Sequence, residues 1–154
     1  MFKEMRRIDR KLDDQEAYKL LEEAQYGVLS TIGENGFPYG VPLNYAYVDG
    51  CLYFHCAQEG GKLNNIAFNS RVSFCVIGDS EVVADKFTYK YTSSIVFGQC
   101  TEVVGSEKET ALLALVEKYS GEFLEAGKKY IKNDLAATKV MKISIEHISG
   151  KANS

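Results

Sequence analysis

The sequence predicts a mainly β protein, an antiparallel barrel of six or seven strands with α-helices at its margins. Several stretches alternate apolar and polar residues with a period of two, which is typical of half-buried strands. The pair Asp49-Gly50 joins two of these stretches as a tight hairpin. Strand and helix patterns do not alternate regularly, and the dinucleotide signature GxGxxG never occurs, so a doubly wound parallel sheet is disfavoured.

The first predicted element is a helix over residues 14–25, because its apolar side chains recur at helical spacing behind acidic residues. Three successive antiparallel strands follow, over residues 27–32, 38–48 and 51–56. The Asp-Gly pair between the last two supplies the positive φ angles that a two-residue hairpin requires.

The second half of the chain is predicted to contain a short helix and four strands, over residues 62–69, 72–78, 82–91, 94–104 and 140–148. Ser106 and Glu109 have the spacing of a capping box, which predicts the start of a longer helix. Residues 120–133 are also predicted to be helical. The helices therefore fall at the margins of the strand pattern.

Composition indicates one domain, residues 1–154, with 45% apolar residues and a single core. The net charge of -3 gives no general attraction to nucleic acid or to an anionic membrane. No apolar run is long enough to cross a bilayer, and the start MFKEMRRIDRK lacks the apolar stretch of a signal peptide. We therefore expect a cytoplasmic protein whose four cysteines are thiols, without nucleic-acid or membrane partners.

The stretch YFHCAQEGGKLNN, residues 53–65, carries the most chemistry. Two zinc ligands must lie within about 4 Å of each other, but Cys51 and His55 are about 13 Å apart on a strand, and His55 and Cys56 point to opposite faces. We therefore expect no metal site and no local Cys/His nucleophile, although Cys56 and the distant His147 could still meet through the fold.

The glycine pair in the same stretch has two possible roles. Gly60-Gly61 followed by Lys62 can cradle a phosphate at a helix start, or it can be an ordinary turn that begins a helix. It is not a Walker loop, because Cys56 and Leu63 stand where that motif needs Gly and Ser or Thr.

Seven segments, read together, resemble one known family. They are MRRIDR (5–10), YGVLST (26–31), GFPYGVPLNYAYVDG (36–50), LYFHCAQEGGKLNNI (52–66), VSFCVIGD (72–79), SIVFGQ (94–99) and HISGK (147–151). The family is the pyridoxamine 5'-phosphate oxidase-like flavoproteins, and within it the NimA-like 5-nitroimidazole resistance proteins. This resemblance implies a Greek-key split β-barrel and a homodimer that binds FMN in clefts between the subunits.

The resemblance also assigns residues to the FMN site. Lys62 would pair with the ribityl phosphate, and His55 would hydrogen-bond the flavin or a substrate and is the catalytic candidate. Gly61 departs from the basic residue that many relatives carry before the lysine, and Asn64 departs from a common Asp. The cofactor-binding residues that the resemblance implies are Pro42, Leu43, Asn44, His55, Cys56, Ala57, Lys62, Leu63, Ser93, Ser94, Ile95, His147 and Lys151.

Some of these residues also have simpler interpretations. The segment 42–44 suits flavin contact, because Pro42 cannot donate to a sheet and Asn44 offers both a donor and an acceptor, but it also suits an edge strand. Residues 93–95 can simply start a strand, and Lys151 can belong to a basic tail.

The implied function is an FMN-dependent oxidoreductase that takes electrons from a donor such as NAD(P)H and passes them to a small acceptor. For a nitroimidazole acceptor, His55 would be the proton donor. The alternatives are a flavin carrier, store or sensor without turnover, a pyridoxamine 5'-phosphate oxidase, and a haem-binding protein with His55 or His147 as axial ligand.

Overall fold

The computed structural model describes residues 1–154 as one antiparallel eight-stranded sheet, curled around a core, with four α-helices. The strands are β1 (Lys11–Leu12), β2 (Gly27–Ile32), β3 (Pro38–Leu43), β4 (Ala46–Val48), β5 (Cys51–Cys56), β6 (Arg71–Val83), β7 (Thr88–Val103) and β8 (Lys139–Asn153). The helices are α1 (Asp14–Glu23), α2 (Gly61–Phe68), α3 (Gly105–Ser120) and α4 (Leu124–Asp134).

The strands are ordered β3-β2-β6-β7-β8-β5-β4, and the short β1 pairs with β8. Because β3 and β4 form the two ends of this order and do not pair, the barrel is open along one side. The prediction of a mainly antiparallel split barrel with flanking helices is confirmed, but the predicted six or seven strands are eight. No helix in the chain combines the length and the apolar character that a membrane span requires.

The core fills the concave side of the sheet. Alternate residues of each long strand point into it, as the period of two requires, and Leu29, Phe74 and Val96 are fully buried there. Helix α1 closes the core with Ala17 and Leu21, and the Asp13 carboxylate caps this helix by accepting a hydrogen bond from the Glu16 N–H at 2.8 Å.

The predicted strand 38–48 is wrong in one respect, because it is two strands separated at Asn44 and Tyr45. Both backbone groups of Tyr45 lie next to the Tyr119 hydroxyl, which accepts from its N–H at 3.1 Å and lies 3.0 Å from its carbonyl oxygen. The Tyr45 ring is fully buried against Phe74. These contacts replace sheet pairing, so β3 and β4 reach opposite ends of the sheet.

The predicted strand 82–91 is also wrong, because the chain reverses inside it. Strands β6 and β7 form one long hairpin whose last pair is Val83 and Thr88. A single turn of 3-10 helix, Ala84–Lys86, and Phe87 with a φ of 51° make the reversal. A left-handed turn at phenylalanine is unusual, so the pattern of residue types did not reveal it.

The predicted capping box at Ser106 does not form. Helix α3 begins one residue earlier, at Gly105, and no side chain caps it. Ser106 therefore lies inside the first turn, where its hydroxyl is not placed to accept from the free N–H groups.

Strand β8 contains a β-bulge at Glu146. Phe97 pairs with His147, but the next residue, Gly98, pairs with Ile145, so Glu146 is the extra residue. Before the bulge Ile143 and Ile145 point into the core, and after it Ile148 does. The bulge therefore turns His147 to the outer face of the sheet.

The outer face of the sheet has two halves. In the covered half, the side chains of Tyr53, Val103 and Val140 are buried beneath α3. In the open half, no helix lies over the sheet, and its apolar side chains are partly exposed: Val28 (37%), Ile77 (60%), Ile95 (38%) and Phe97 (38%).

Candidate functional site

The start of α2 has the features of an anion-binding site. Its N-cap residue, Gly60, provides no side-chain cap, so the first N–H groups of the helix have no acceptor from that position. A Cβ atom added at Gly60 or Gly61 would meet nothing within 4 Å. The donor set, with Lys62 in the first turn, therefore fits a phosphate, and there is open space for one.

His55 lies on the outer face of β5, in the covered half of the sheet. It borders a small, mostly apolar pocket of about 90 Å³ between α3 and α4, together with Leu115 and Tyr130. Burial, and secondarily the positive charge of Lys62, lower the pKa of His55. The imidazole is therefore neutral at neutral pH, which favours hydrogen bonding over service as a ready-protonated acid.

Cys56 points to the other side of β5 and packs against the core. Burial raises the pKa of its thiol, so it is not a thiolate at neutral pH. Cys56 pairs with Lys139 at the start of β8, whereas His147 lies beyond the bulge of the same strand. The Cys56–His147 pairing that the sequence left open is therefore wrong.

The other predicted residues near the α2 start differ in their surroundings. Ala57 is exposed, and Leu63 is half-buried against the core. Asn65, one turn further along α2, donates to the Thr31 hydroxyl at 3.0 Å and so fixes the helix to β2.

The segment Pro42, Leu43 and Asn44 ends β3. Leu43 packs against the core, so Pro42 faces outward on the open half. The Asn44 side-chain amide donates to the Gln25 carbonyl at 3.1 Å, and its oxygen has no partner within the chain. Pro42 and the Asn44 oxygen are thus the parts of this segment that remain available to a ligand.

A row of paired residues connects Pro42 to the second predicted group. Along this row the pairs are Pro42 with Val28, Val28 with Cys75, Cys75 with Ile95, and Ile95 with Ser149. With strands about 4.8 Å apart, Pro42 and Ile95 are about 14 Å from each other. The fold therefore brings residues of β3 and β7 onto one face.

Four predicted residues of β7 and β8 line the same cavity of about 540 Å³: Ser93, Ile95, His147 and Lys151. Lys151 is not in a disordered tail, since it pairs with Ser93 and Lys11 inside the sheet. Ser94 differs from this group, because it is fully buried and its hydroxyl donates to the Ala17 carbonyl at 2.8 Å.

The predicted residues thus form two groups within one chain. His55 pairs with Val140 at one end of β8, and Ile95 pairs with Ser149 near the other end. Nine residues of strand span roughly 30 Å, which is well beyond the reach of one flavin mononucleotide. One subunit alone does not bring both groups to one ligand.

The N-terminal segment is the part of the cavity that the sequence did not reveal. Phe2, Lys3, Glu4 and Met5 all line it. The Phe2 ring is stacked on His147, with centroids 4.6 Å apart and planes 9° apart. No local signal in the sequence identifies a contact between chain positions so far apart.

The fold defines this protein as an open, split β-barrel with flanking helices. The sequence of residues 13–152 matches the family model described as pyridoxamine 5'-phosphate oxidase. Because the match covers most of the chain, this protein belongs to that family. No curated protein sequence matches the chain at a significant level.

Several solved structures are similar in fold. A protein assigned to 5-nitroimidazole antibiotic resistance, from Bacteroides thetaiotaomicron, has 22% identity and a TM-score of 0.74 over 94% of this chain and 90% of that one. A FAD-binding protein from Mesorhizobium loti has 27% identity and a TM-score of 0.65 over 94% and 98%. A FAD and heme binding protein from Mycobacterium smegmatis has 18% identity and a TM-score of 0.82 over 94% and 74%.

Proposed function

We propose that this protein is an FMN-dependent oxidoreductase that reduces a small acceptor of the nitroimidazole type. The observation that carries the proposal is the start of α2. Uncapped N–H groups, open space at Gly60 and Gly61, and the ammonium group of Lys62 together suit the phosphate of FMN. Gly61 leaves this site with one cation, so the backbone would take a larger share of the phosphate contacts.

The separation of the predicted residues supports a dimer. A flavin held at the α2 start of one subunit could meet Ile95, His147 and Lys151 only if a second subunit supplied them. The open half of the sheet, with its partly exposed apolar side chains, suits contact with a second copy of the chain. We therefore propose a homodimer with FMN in the cleft between the subunits.

Bound FMN would supply the electron transfer, from NAD(P)H to the acceptor. The residues of this chain would hold and shield it. Lys62 and the α2 backbone would hold the phosphate, and the Asn44 oxygen and Pro42 would border the ring. His55, being neutral, would offer a hydrogen bond to the flavin or substrate, and to act as the proposed proton source it would first take up a proton from solvent and then pass it to the acceptor.

The visible spectrum of the purified protein tests the cofactor directly. Flavin absorption is expected, either as purified or after addition of FMN, and anaerobic NADH should bleach it. A 5-nitroimidazole should then restore it. A colourless protein that takes up no FMN contradicts the proposal, as does a haem spectrum without flavin. A flavin that neither reductant nor acceptor changes indicates a carrier or sensor.

Substitution of Lys62 tests the phosphate site. Lys62→Ala should weaken FMN binding by about tenfold or more, because it removes a charge-assisted contact worth about 1.5–3 kcal/mol. Folding should change little, since Lys62 lies at the surface of a helix start. Lys129→Ala is the matched control, because Lys129 is exposed on α4 without an ion pair. Equal FMN affinity in both variants would remove Lys62 from the site.

A further inference from the structure

Three aromatic rings meet on the open half of the sheet. The Phe2 ring lies 4.6 Å from the His147 ring and 5.2 Å from the Phe97 ring, stacked on both. The rings of Phe97 and His147 are themselves 6.3 Å apart, because the two residues pair across β7 and β8. Phe97 and His147 are thus held by the sheet, and Phe2 is added to them from the chain terminus.

The bulge at Glu146 creates this pair. If Glu146 were an ordinary ladder residue, strict alternation from Ile145 would point His147 into the core, and Phe97 would have no ring beside it. Gly98, the neighbour of Phe97, has no room for a side chain, since a Cβ atom there would lie 2.2 Å from the Ser144 carbonyl oxygen. The local backbone is therefore arranged so that two rings face outward together.

The rings adjoin the cavity of about 540 Å³, and His147 and Phe2 line it. This volume is in the range of small-molecule sites. Ser93 and Lys151 line it as well and offer hydrogen-bond donors next to the rings. The remaining charges are mixed: Lys11 is paired with Glu4 at 3.5 Å, and Asp14 and Glu146 add negative charge. The mixed charges therefore give no preference for an anionic ligand, whereas the aromatic rings favour a planar one.

Phe2 is the removable member of the stack. The residues before Ile8 belong to no helix or strand, so the sheet does not hold Phe2 in place. A planar ring from a ligand would make the same contacts with Phe97 and His147 without ordering this segment. Aromatic pairs of this kind prefer offset stacking with centroids about 4.5–7 Å apart, which is the separation that Phe2 already adopts.

We propose that Phe97 and His147 form a stacking platform for the planar aromatic ring of a ligand, and that Phe2 occupies this platform until the ligand displaces it. The ring belongs either to the flavin or to an aromatic acceptor, and both of these candidates rest on the proposed function. Ser93 and Lys151 then donate to a polar acceptor group on that ring.

Calorimetric titration of four variants tests the platform. The wild type, Phe2→Ala, Phe97→Leu and the control Phe87→Ala are each titrated with FMN and, separately, with 2-methyl-5-nitroimidazole in the absence of flavin. Phe87 is 96% exposed, so its substitution removes a phenyl ring that touches nothing. Leucine at position 97 keeps an apolar side chain on the strand but removes the ring.

Phe2→Ala should strengthen binding of the ring ligand by about threefold to tenfold, because a competing ring is gone. Phe97→Leu should weaken binding of the same ligand by a similar factor, and Phe87→Ala should leave it unchanged. If FMN shows this pattern, the platform holds the flavin ring; if only the nitroimidazole shows it, the platform holds the acceptor.

The proposal is overturned if Phe2→Ala weakens binding or leaves it unchanged, or if Phe97→Leu has no effect on either ligand. Binding of neither ligand to any variant also overturns it. Failure of the proposed function would give a different result. The wild type would then bind no FMN, whereas the nitroimidazole would still bind more tightly to Phe2→Ala and more weakly to Phe97→Leu.

Discussion

The covered and open halves of the outer face carry similar side chains in different surroundings. In the covered half, Tyr53 and Val140 lie beneath α3 and are almost fully buried. In the open half, Ile95 and Phe97 stand on the same sheet, in the same outward direction, with more than a third of their surface exposed. Burial of apolar surface stabilises the single chain only in the covered half. The open half therefore carries the apolar surface that the proposed ligand or second subunit would cover.

The largest expected effect lies in the covered half. Leu115→Ala removes a 6%-exposed side chain from the contact between α3 and the sheet, and should lower the free energy of unfolding by about 2–4 kcal/mol. Urea unfolding measures this loss. Leu113→Ala, which truncates a half-buried leucine on the same helix, should cost clearly less. Equal losses for the two variants would mean that α3 does not stabilise the sheet through Leu115.

In the open half, Ile95→Lys should affect assembly more than folding. A lysine in the middle of an apolar interface is poorly tolerated, so the dissociation constant of the proposed dimer should rise about tenfold or more, which is about 1.4 kcal/mol or more. Sedimentation velocity over a range of concentrations measures it. Phe123→Lys is the control, because Phe123 is exposed before α4 on another side of the molecule. An unchanged dimer would place the interface elsewhere.

The smallest expected effect concerns how α3 is fixed to the covered half at low pH. The Glu107 carboxylate accepts from the Tyr53 hydroxyl at 2.7 Å and from the Lys142 ammonium at 2.9 Å. The hydrogen bond from Lys142, then that from Tyr53, holds the pKa of Glu107 below its ordinary value near 4.5. The folded state therefore binds this proton less readily than the unfolded state.

The sign of the pH effect follows from that difference. The stabilisation is fully present above the ordinary glutamate pKa and is lost as the pH falls through the lower, folded-state pKa. Between about pH 6 and pH 3, the urea midpoint of the wild type should therefore fall more than that of Glu107→Gln. Parallel midpoints for the two proteins would show that this carboxylate contributes nothing to stability. The effect should be small, because Glu107 is well exposed.

The sequence predicted the parts of the fold that depend on near neighbours. The bounds of β2 and β5 agree with their alternation, and the Asp49-Gly50 turn forms with φ angles of 49° and 79°. The parts it missed depend on a distant partner or on a residue type that is unusual for its conformation. The break at Tyr45 requires the Tyr119 hydroxyl, 74 residues away, and the reversal at Phe87 uses a residue type that rarely adopts positive φ.

The candidate site also has features that the local sequence revealed and features that it did not. The helix start at Gly60, Gly61 and Lys62 was visible in the local sequence, and the structure adds that a Cβ atom at either glycine would meet open space. The stack of Phe2 on His147 was not visible, because it joins the first residues of the chain to the last strand. The outward direction of His147 was also hidden, since the alternation of residues 140–148 gives no sign of the bulge.

The bulge at Glu146 also affects how this strand tolerates changes in length. Deleting Glu146 would join Ile145 directly to His147, which already pair with the neighbouring residues Gly98 and Phe97, so every later side chain of β8 would keep its side of the sheet. Deleting a residue from the regular part of the strand would instead exchange inside for outside at the positions beyond it. Ile148 and Gly150 would then face water, and His147, Ser149 and Lys151 would face the core. Strand β8 should therefore tolerate a one-residue deletion at Glu146 far better than at its neighbours.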